Sequence, residues 1–221
     1  MVSDGSLIDW QQRDIGIAER PVLSQVRLNI QAGERVAVLG ESGVGKSTLL
    51  DALRQSLGQQ VAWCPQYAGL VPTLSVLHNV YMGCLSEHPW WLNVWRLLFP
   101  GQRLSSDISQ LLKPLNLQEC LHQRAESLSG GQQQRCNIAR ALYQNKAVFV
   151  GDEPVSALDE HQSDAVLNLI CERHQTVIVA LHDVELARRH CSRIIGLREG
   201  RIAFDAPVAE LNDRGIRQLY Q

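Results

Sequence analysis

The sequence lacks any long hydrophobic run. No stretch of about 18 apolar residues occurs among its 221 positions, so no helix is expected to cross a bilayer. Met1 to Gly5 shows no basic segment followed by an apolar run, and the expectation is a cytosolic chain. Internal repeats, low-complexity tracts and Gly/Ser linkers are missing too, which excludes solenoids and tethered modules. The six cysteines (Cys64, Cys84, Cys120, Cys136, Cys171, Cys191) form no C-x-x-C pair. A disulfide framework is thereby excluded, and reduced, buried thiols are expected without a zinc site. Excess positive charge is also absent: the formal net charge is −2 and the pI about 6.4. No overall field holds a polyanion, and nucleic acid is not an expected partner.

What remains is ordinary globular material. Apolar residues make 45% and charged ones 20% of the chain, with a mean hydropathy of −0.13, enough to bury one core. Short Val/Ile-rich runs cover Arg35 to Leu39, Gln60 to Cys64, Ala147 to Gly151, Thr176 to Ala180 and Arg193 to Leu197. Such continuous apolar strands are those buried on both faces. Helical patterns alternate with them at Lys46 to Leu57, Gln132 to Tyr143, Glu160 to His174 and Val184 to His190. The alternation predicts an α/β fold with a mostly parallel sheet. Leu7 to Ile30, with weaker alternation, predicts an antiparallel edge sheet. Gln66 to Leu128, broken by Pro72, Pro89, Pro100 and Pro114, predicts a helical insertion. Arg198 to Arg201 predicts a hairpin, followed by short helices after Pro207.

The first strand leads into Gly40-Glu41-Ser42-Gly43-Val44-Gly45-Lys46-Ser47-Thr48 and then a leucine-rich helix. This is the G-x-x-x-x-G-K-[ST] phosphate loop in its strand, loop, helix setting. Glycines let backbone N–H groups point inward, and the helix start adds partial positive charge, so amides hold a polyphosphate before any side chain acts. Lys46 reaches the β and γ phosphates, and the Ser47 hydroxyl suits Mg²⁺.

A second apolar strand ends in Asp152-Glu153, at the sheet edge where ligands of such folds sit. Asp152 is placed for the Mg²⁺ shell and Glu153 to polarise an attacking water. Taken alone, these carboxylates read as a solvated acidic turn; beside the phosphate loop the catalytic reading prevails. His182 ends the strand Thr176 to Leu181; there a lone histidine is structural or a γ-phosphate contact.

Between these motifs stands Leu128-Ser129-Gly130-Gly131-Gln132, opening a helix. Ser129 and two glycines at a helix start offer another anion-facing surface, or else a plain helix cap. Here the chain resembles the ATP-binding cassette family, whose signature is L-S-G-G-Q, and the resemblance covers nearly its whole length. It implies a phosphate-loop NTPase core (1–65 and 129–221) carrying an antiparallel edge sheet, with a helical subdomain (about 66–128), in one domain. By resemblance Gln66 is the Q-loop glutamine and a Mg²⁺ ligand, Ser156 to Asp159 the D-loop, and His182 the switch histidine. ATP with Mg²⁺ would lie between two copies, the phosphate loop of one facing Ser129, Gly130, Gly131 and Gln132 of the other. Closure on ATP and reopening after hydrolysis would drive membrane permease subunits at the cytoplasmic face of the plasma membrane, with a solute-binding protein as indirect partner.

More narrowly, Gly69 to Val80, the Trp-rich stretch Pro89 to Trp95 and Leu197 to Arg201 resemble ATP-binding subunits of phosphonate-type importers, for phosphonate, phosphite or another small oxyanion. The alternatives are a soluble cassette of DNA repair or translation, which typically carries two cassettes or a long coiled coil, and a module of phosphonate breakdown. Two departures stand out. Where the family places an aromatic residue for adenine stand Ile15, Ile17 and Arg20, with Trp10 far upstream. Gly151, not a bulky residue, precedes Asp152. The stretch Pro89 to Pro100 holds three of the five tryptophans; packing within the insertion is expected, and a patch docking a membrane-embedded partner is the other reading.

Overall fold

The computed structural model describes residues 5–17, 20–211, 215–216 and 218–220, the side chains of Ile17 and Gln218 excepted. Five parallel strands and one antiparallel strand form a sheet in the order β4-β5-β6-β3-β7-β8. These are β3 (Arg35–Leu39), β4 (Val61–Cys64), β5 (Val148–Asp152), β6 (Thr176–Ala180), β7 (Arg193–Arg198) and β8 (Arg201–Pro207). The uninterrupted apolar runs follow from burial on both faces. Val36, Val38, Val148, Val150, Ile178 and Ala180 point into one core, while Ala37, Leu39, Phe149, Val177 and Val179 point into the other.

The first core is closed by helix α1 (Lys46–Leu57) and by a separate hairpin of β1 (Ser6–Ile17) and β2 (Arg20–Gln31), whose Leu23, Val26, Leu28 and Ile30 are buried. The expected antiparallel segment near the N-terminus is therefore a two-stranded sheet of its own, and β8 supplies the antiparallel edge of the main sheet. Glu199 and Gly200, both at positive φ, turn the chain between β7 and β8 as the hairpin reading requires. Gly200 O accepts from Ser24 N at 2.8 Å, tying the two sheets together.

The second core lies under α5 (Gly130–Tyr143), α6 (Glu160–Arg173) and α7 (Val184–His190). It continues without a break into residues 66–128, which hold α2 (Val76–Tyr81), α3 (Trp90–Leu98), α4 (Gln102–Leu112) and short 3-10 segments, with no named strand. Tyr81, Leu77, Ile108 and Leu112 are fully buried there. One part of this segment departs from the packing expectation. Trp90, Trp91, Val94, Trp95, Leu98 and Phe99 are 48 to 76% exposed, so the tryptophan helix packs on the insertion through Asn93 and Leu97 and leaves its tryptophan face outside.

Candidate functional site

Strand order builds the site. Four neighbouring strands, β4, β5, β6 and β3, run parallel, so their carboxyl ends lie in one row, with Asp152 level with Ala180 and Cys64 level with Gly151. Past those ends come, in the same order, Gln66, Asp152 with Glu153, His182, and the phosphate loop. Residues separated by more than a hundred positions thus meet at one edge.

The loop from Gly40 to Gly45 wraps ahead of α1. A Cβ on Gly40 would sit 2.6 Å from Leu197 O, and one on Gly45 2.8 Å from Leu23 Cδ2, so neither position accepts a side chain without displacement. Gly45, the residue before α1, also has φ 112°, in the left-handed region that favours glycine. Lys46 is 5% exposed, and its ammonium donates to Gly40 O at 2.9 Å and Glu41 O at 3.0 Å. Burial draws its pKa below the usual amine value, against the opposing pull of Glu153 and Asp152.

Asp152 is 4% exposed, and its Oδ1 is buried without a partner among the described residues. Burial pushes its pKa up, and the hydrogen bond from Ser47 opposes that rise. An orphaned buried carboxylate oxygen beside a hydroxyl fits a cation that also binds phosphate. Among the described residues no three His, Cys, Asp or Glu side chains cluster here.

Glu153 takes φ 50°, uncommon for a side chain with a Cβ and typical of residues held for function. Its Oε2 accepts from Gln66 Nε2 at 3.0 Å, its Oε1 lies 2.5 Å from His182 Nε2, and Lys46 Nζ is 3.9 Å away. Three of the residues singled out in the sequence converge on this carboxylate. Gln66 meets Glu153 here, while Ser47 is the group that meets Asp152.

Ser129, Gly130, Gly131 and Gln132 open α5. Ser129 caps it in a reciprocal box with Gln132, and Ser129 and Gly130 face solvent. Three residues further along this helix were not singled out in the sequence. Gln134 donates to Pro154 O at 2.8 Å, and Asn137 to Pro65 O at 2.8 Å. Arg140 donates to Gly69 O at 3.2 Å and also to Ala68 O. The readable trace was polar residues three apart on a helix whose other positions bury Cys136, Ile138, Ala139 and Leu142.

Arg13, Asp14, Ile15 and Gly16 flank Ser47 and Thr48 in a groove of about 430 Å³ that has no aromatic ring among its described lining residues. Of the residues noted in place of an aromatic ring, Ile15 lines this groove, while Ile17's side chain lies outside the described residues. Trp10 is a β1 residue with the Arg13 guanidinium 4.8 Å from its ring. A Cβ on Gly151 would lie 2.7 Å from the Phe149 ring, which explains the small residue before Asp152. All six cysteines are free and buried, and burial raises Cys64, Cys136 and Cys191 to about 12.

A glycine-lined phosphate cradle beside two acidic strand-end residues, on a parallel sheet, defines a phosphate-loop nucleotide-binding protein. Residues 23–57 and 51–156 match the family described as ABC transporter. The phosphonates import ATP-binding protein PhnC of Cupriavidus pinatubonensis is 35% identical over 236 residues, covering 92% of this chain and 83% of that protein. PhnC 2 of Pseudomonas aeruginosa is 37% identical over 227 residues, covering 90% and 84%. Among solved structures, the dimeric bacterial ABC transporter cassette MJ0796 aligns with TM-score 0.75 and 27% identity, covering 90% of this chain and 97% of that one. A post-hydrolysis dimer of the same cassette bound to ADP and Pi aligns with TM-score 0.71. The chain belongs to the ABC transporter family.

Proposed function

We propose that this chain is the ATP-hydrolysing subunit of an importer for phosphonate or a related small oxyanion, working as a homodimer against membrane permease subunits. The observation that carries it is the convergence of Gln66, Lys46 and His182 on Glu153 beside the phosphate loop. In this reading residues 66–128 act as a helical subdomain on a core of 1–65 and 129–221. The names of the PhnC relatives support the solute class, and the dimeric MJ0796 cassettes support the dimer.

ATP settles its phosphates on the amides of Gly40 to Thr48. Lys46 exchanges the carbonyls of Gly40 and Glu41 for the β and γ phosphates, and His182 leaves Glu153 to contact the γ phosphate. Glu153 then orients a water and accepts its proton as the water oxygen bonds to the γ phosphorus and the bridge to ADP breaks. Ser47, Asp152 and Gln66 would hold Mg²⁺, which supplies charge neutralisation on the phosphates. Ser129, Gly130, Gly131 and Gln132 of a second copy close over the same nucleotide. Opening after phosphate release completes the cycle at the cytoplasmic face of the membrane, where a solute-binding protein feeds the permease from the far side.

The test is reconstitution with the cognate permease and binding protein in vesicles. ATP-dependent uptake of methylphosphonate, absent with Lys46→Ala, is expected. ATP hydrolysis without uptake of any phosphonate or phosphite would leave only the ATPase and overturn the solute assignment.

A further inference from the structure

Helix α3 turns Asn93 and Leu97 inward and most of its large apolar side chains outward. Asn93, on its inward face, is 9% exposed; it accepts from Tyr81 Oη at 2.8 Å and donates to Leu85 O at 2.9 Å and His88 O at 3.1 Å. These bonds fix the helix about its axis with a polar group underneath. Outward, positions 90, 91, 94, 95 and 98, continued by 99 beyond the helix end, carry Trp, Trp, Val, Trp, Leu and Phe. That spacing is a single helical face. Leaving such side chains in water forfeits about 1.5–3 kcal/mol each relative to burial, so a stripe held open by specific hydrogen bonds is a surface made for contact.

Charge decides what it contacts. From His88 to Ser106 there is no acidic residue, although the whole chain is net negative, and the segment carries Arg96 and Arg103. Both arginines line a groove of about 610 Å³ along the helix with His88, Trp95 and Phe99; Asp107 is its one carboxylate among the described lining residues. Just before the segment, Glu87 is paired with Lys146 at 2.5 Å. Tryptophan-rich apolar surface followed by the exposed Arg103 and poor in carboxylates matches the headgroup zone of a bilayer, where indole rings settle and anionic phosphates attract arginine. Nine residues give about 13.5 Å of helix, which lies on a bilayer and does not cross it.

We propose that α3 rests on an anionic phospholipid surface, its tryptophan face in the interfacial layer and the exposed Arg103 on lipid phosphate, while Arg96 stays over the Tyr81 ring. One such helix binds marginally; two in a dimer add through avidity. The inference does not depend on the transport reading, because it concerns the isolated chain and lipid alone.

Flotation of the full chain with vesicles of phosphatidylcholine, with and without phosphatidylglycerol, tests it. Native protein should float with the phosphatidylglycerol vesicles, and brominated lipid should quench its tryptophan fluorescence. Trp91→Ser with Trp95→Ser should lower the bound fraction on the order of tenfold with ATP hydrolysis in solution unchanged. Arg103→Gln should weaken the dependence on phosphatidylglycerol. The proposal fails if native chain stays unbound with both vesicles, or if the double variant floats equally well. It also fails if binding appears only with permease present, or if the double variant instead dissolves a lipid-free dimer on size exclusion.

Discussion

His182 Nε2 lies 2.5 Å from Glu153 Oε1, so the two groups proposed for the γ phosphate and the attacking water pair with each other. Glu153→Gln keeps the shape but cannot accept a proton. Hydrolysis should fall at least about 100-fold with ATP binding intact, and the ATP-bound variant should run as a dimer on size exclusion. Native turnover in this variant would remove Glu153 from the chemistry.

Gly130 offers a clean probe of the second copy, because a Cβ there meets nothing within 4 Å. Gly130→Ala should leave stability within about 0.5 kcal/mol of native. ATP hydrolysis should nevertheless drop about tenfold or more if another subunit's triphosphate packs against this turn. Native activity at high protein concentration would place Ser129 to Gln132 outside the nucleotide site.

Asp152→Asn should trade function for stability. The native carboxylate is buried with one oxygen unpartnered and its pKa raised by burial, so its charge is a cost to the folded state at neutral pH. The variant should melt about 3 °C higher, from about 1 kcal/mol, and should hydrolyse no ATP. The sign with pH follows. As pH falls through the raised folded value toward the ordinary 3.8, the folded chain takes up the proton first, the cost disappears, and the two melting temperatures converge. A gap that widens in acid would contradict this assignment.

Gln66→Ala should separate the two halves of the cycle. Gln66 is exposed, and its amide holds the second oxygen of Glu153, so its loss loosens the carboxylate without emptying the cradle. Hydrolysis should persist while solute moved per ATP falls. An unchanged ratio in reconstituted vesicles would reject a coupling role.

The strands of the main sheet were legible because burial on both faces removes polar interruptions, and β3 and β6 fall on their expected limits of Arg35 to Leu39 and Thr176 to Ala180. The cradle was legible because its glycines are required locally. What escaped was what depends on distant backbone. Gln134, Asn137 and Arg140 satisfy carbonyls 20, 72 and 71 positions away, and nothing in their own neighbourhood names those acceptors. The tryptophan helix misled for a related reason: apolar content argued for an inward face, while Asn93 had three inward partners that no periodicity reveals.

Helix α5 therefore behaves as a strut. Its start leaves Ser129 exposed, and its middle holds the carbonyl of Pro154, just after Glu153, and that of Pro65, just before Gln66. If a second copy bears on that start, as proposed, a pull there reaches the residues around Glu153 and Gln66 of the same chain. Two nucleotides in one assembly then do not fire as strangers: mixing intact subunits with inactive ones should poison more than half of the activity of each hybrid pair.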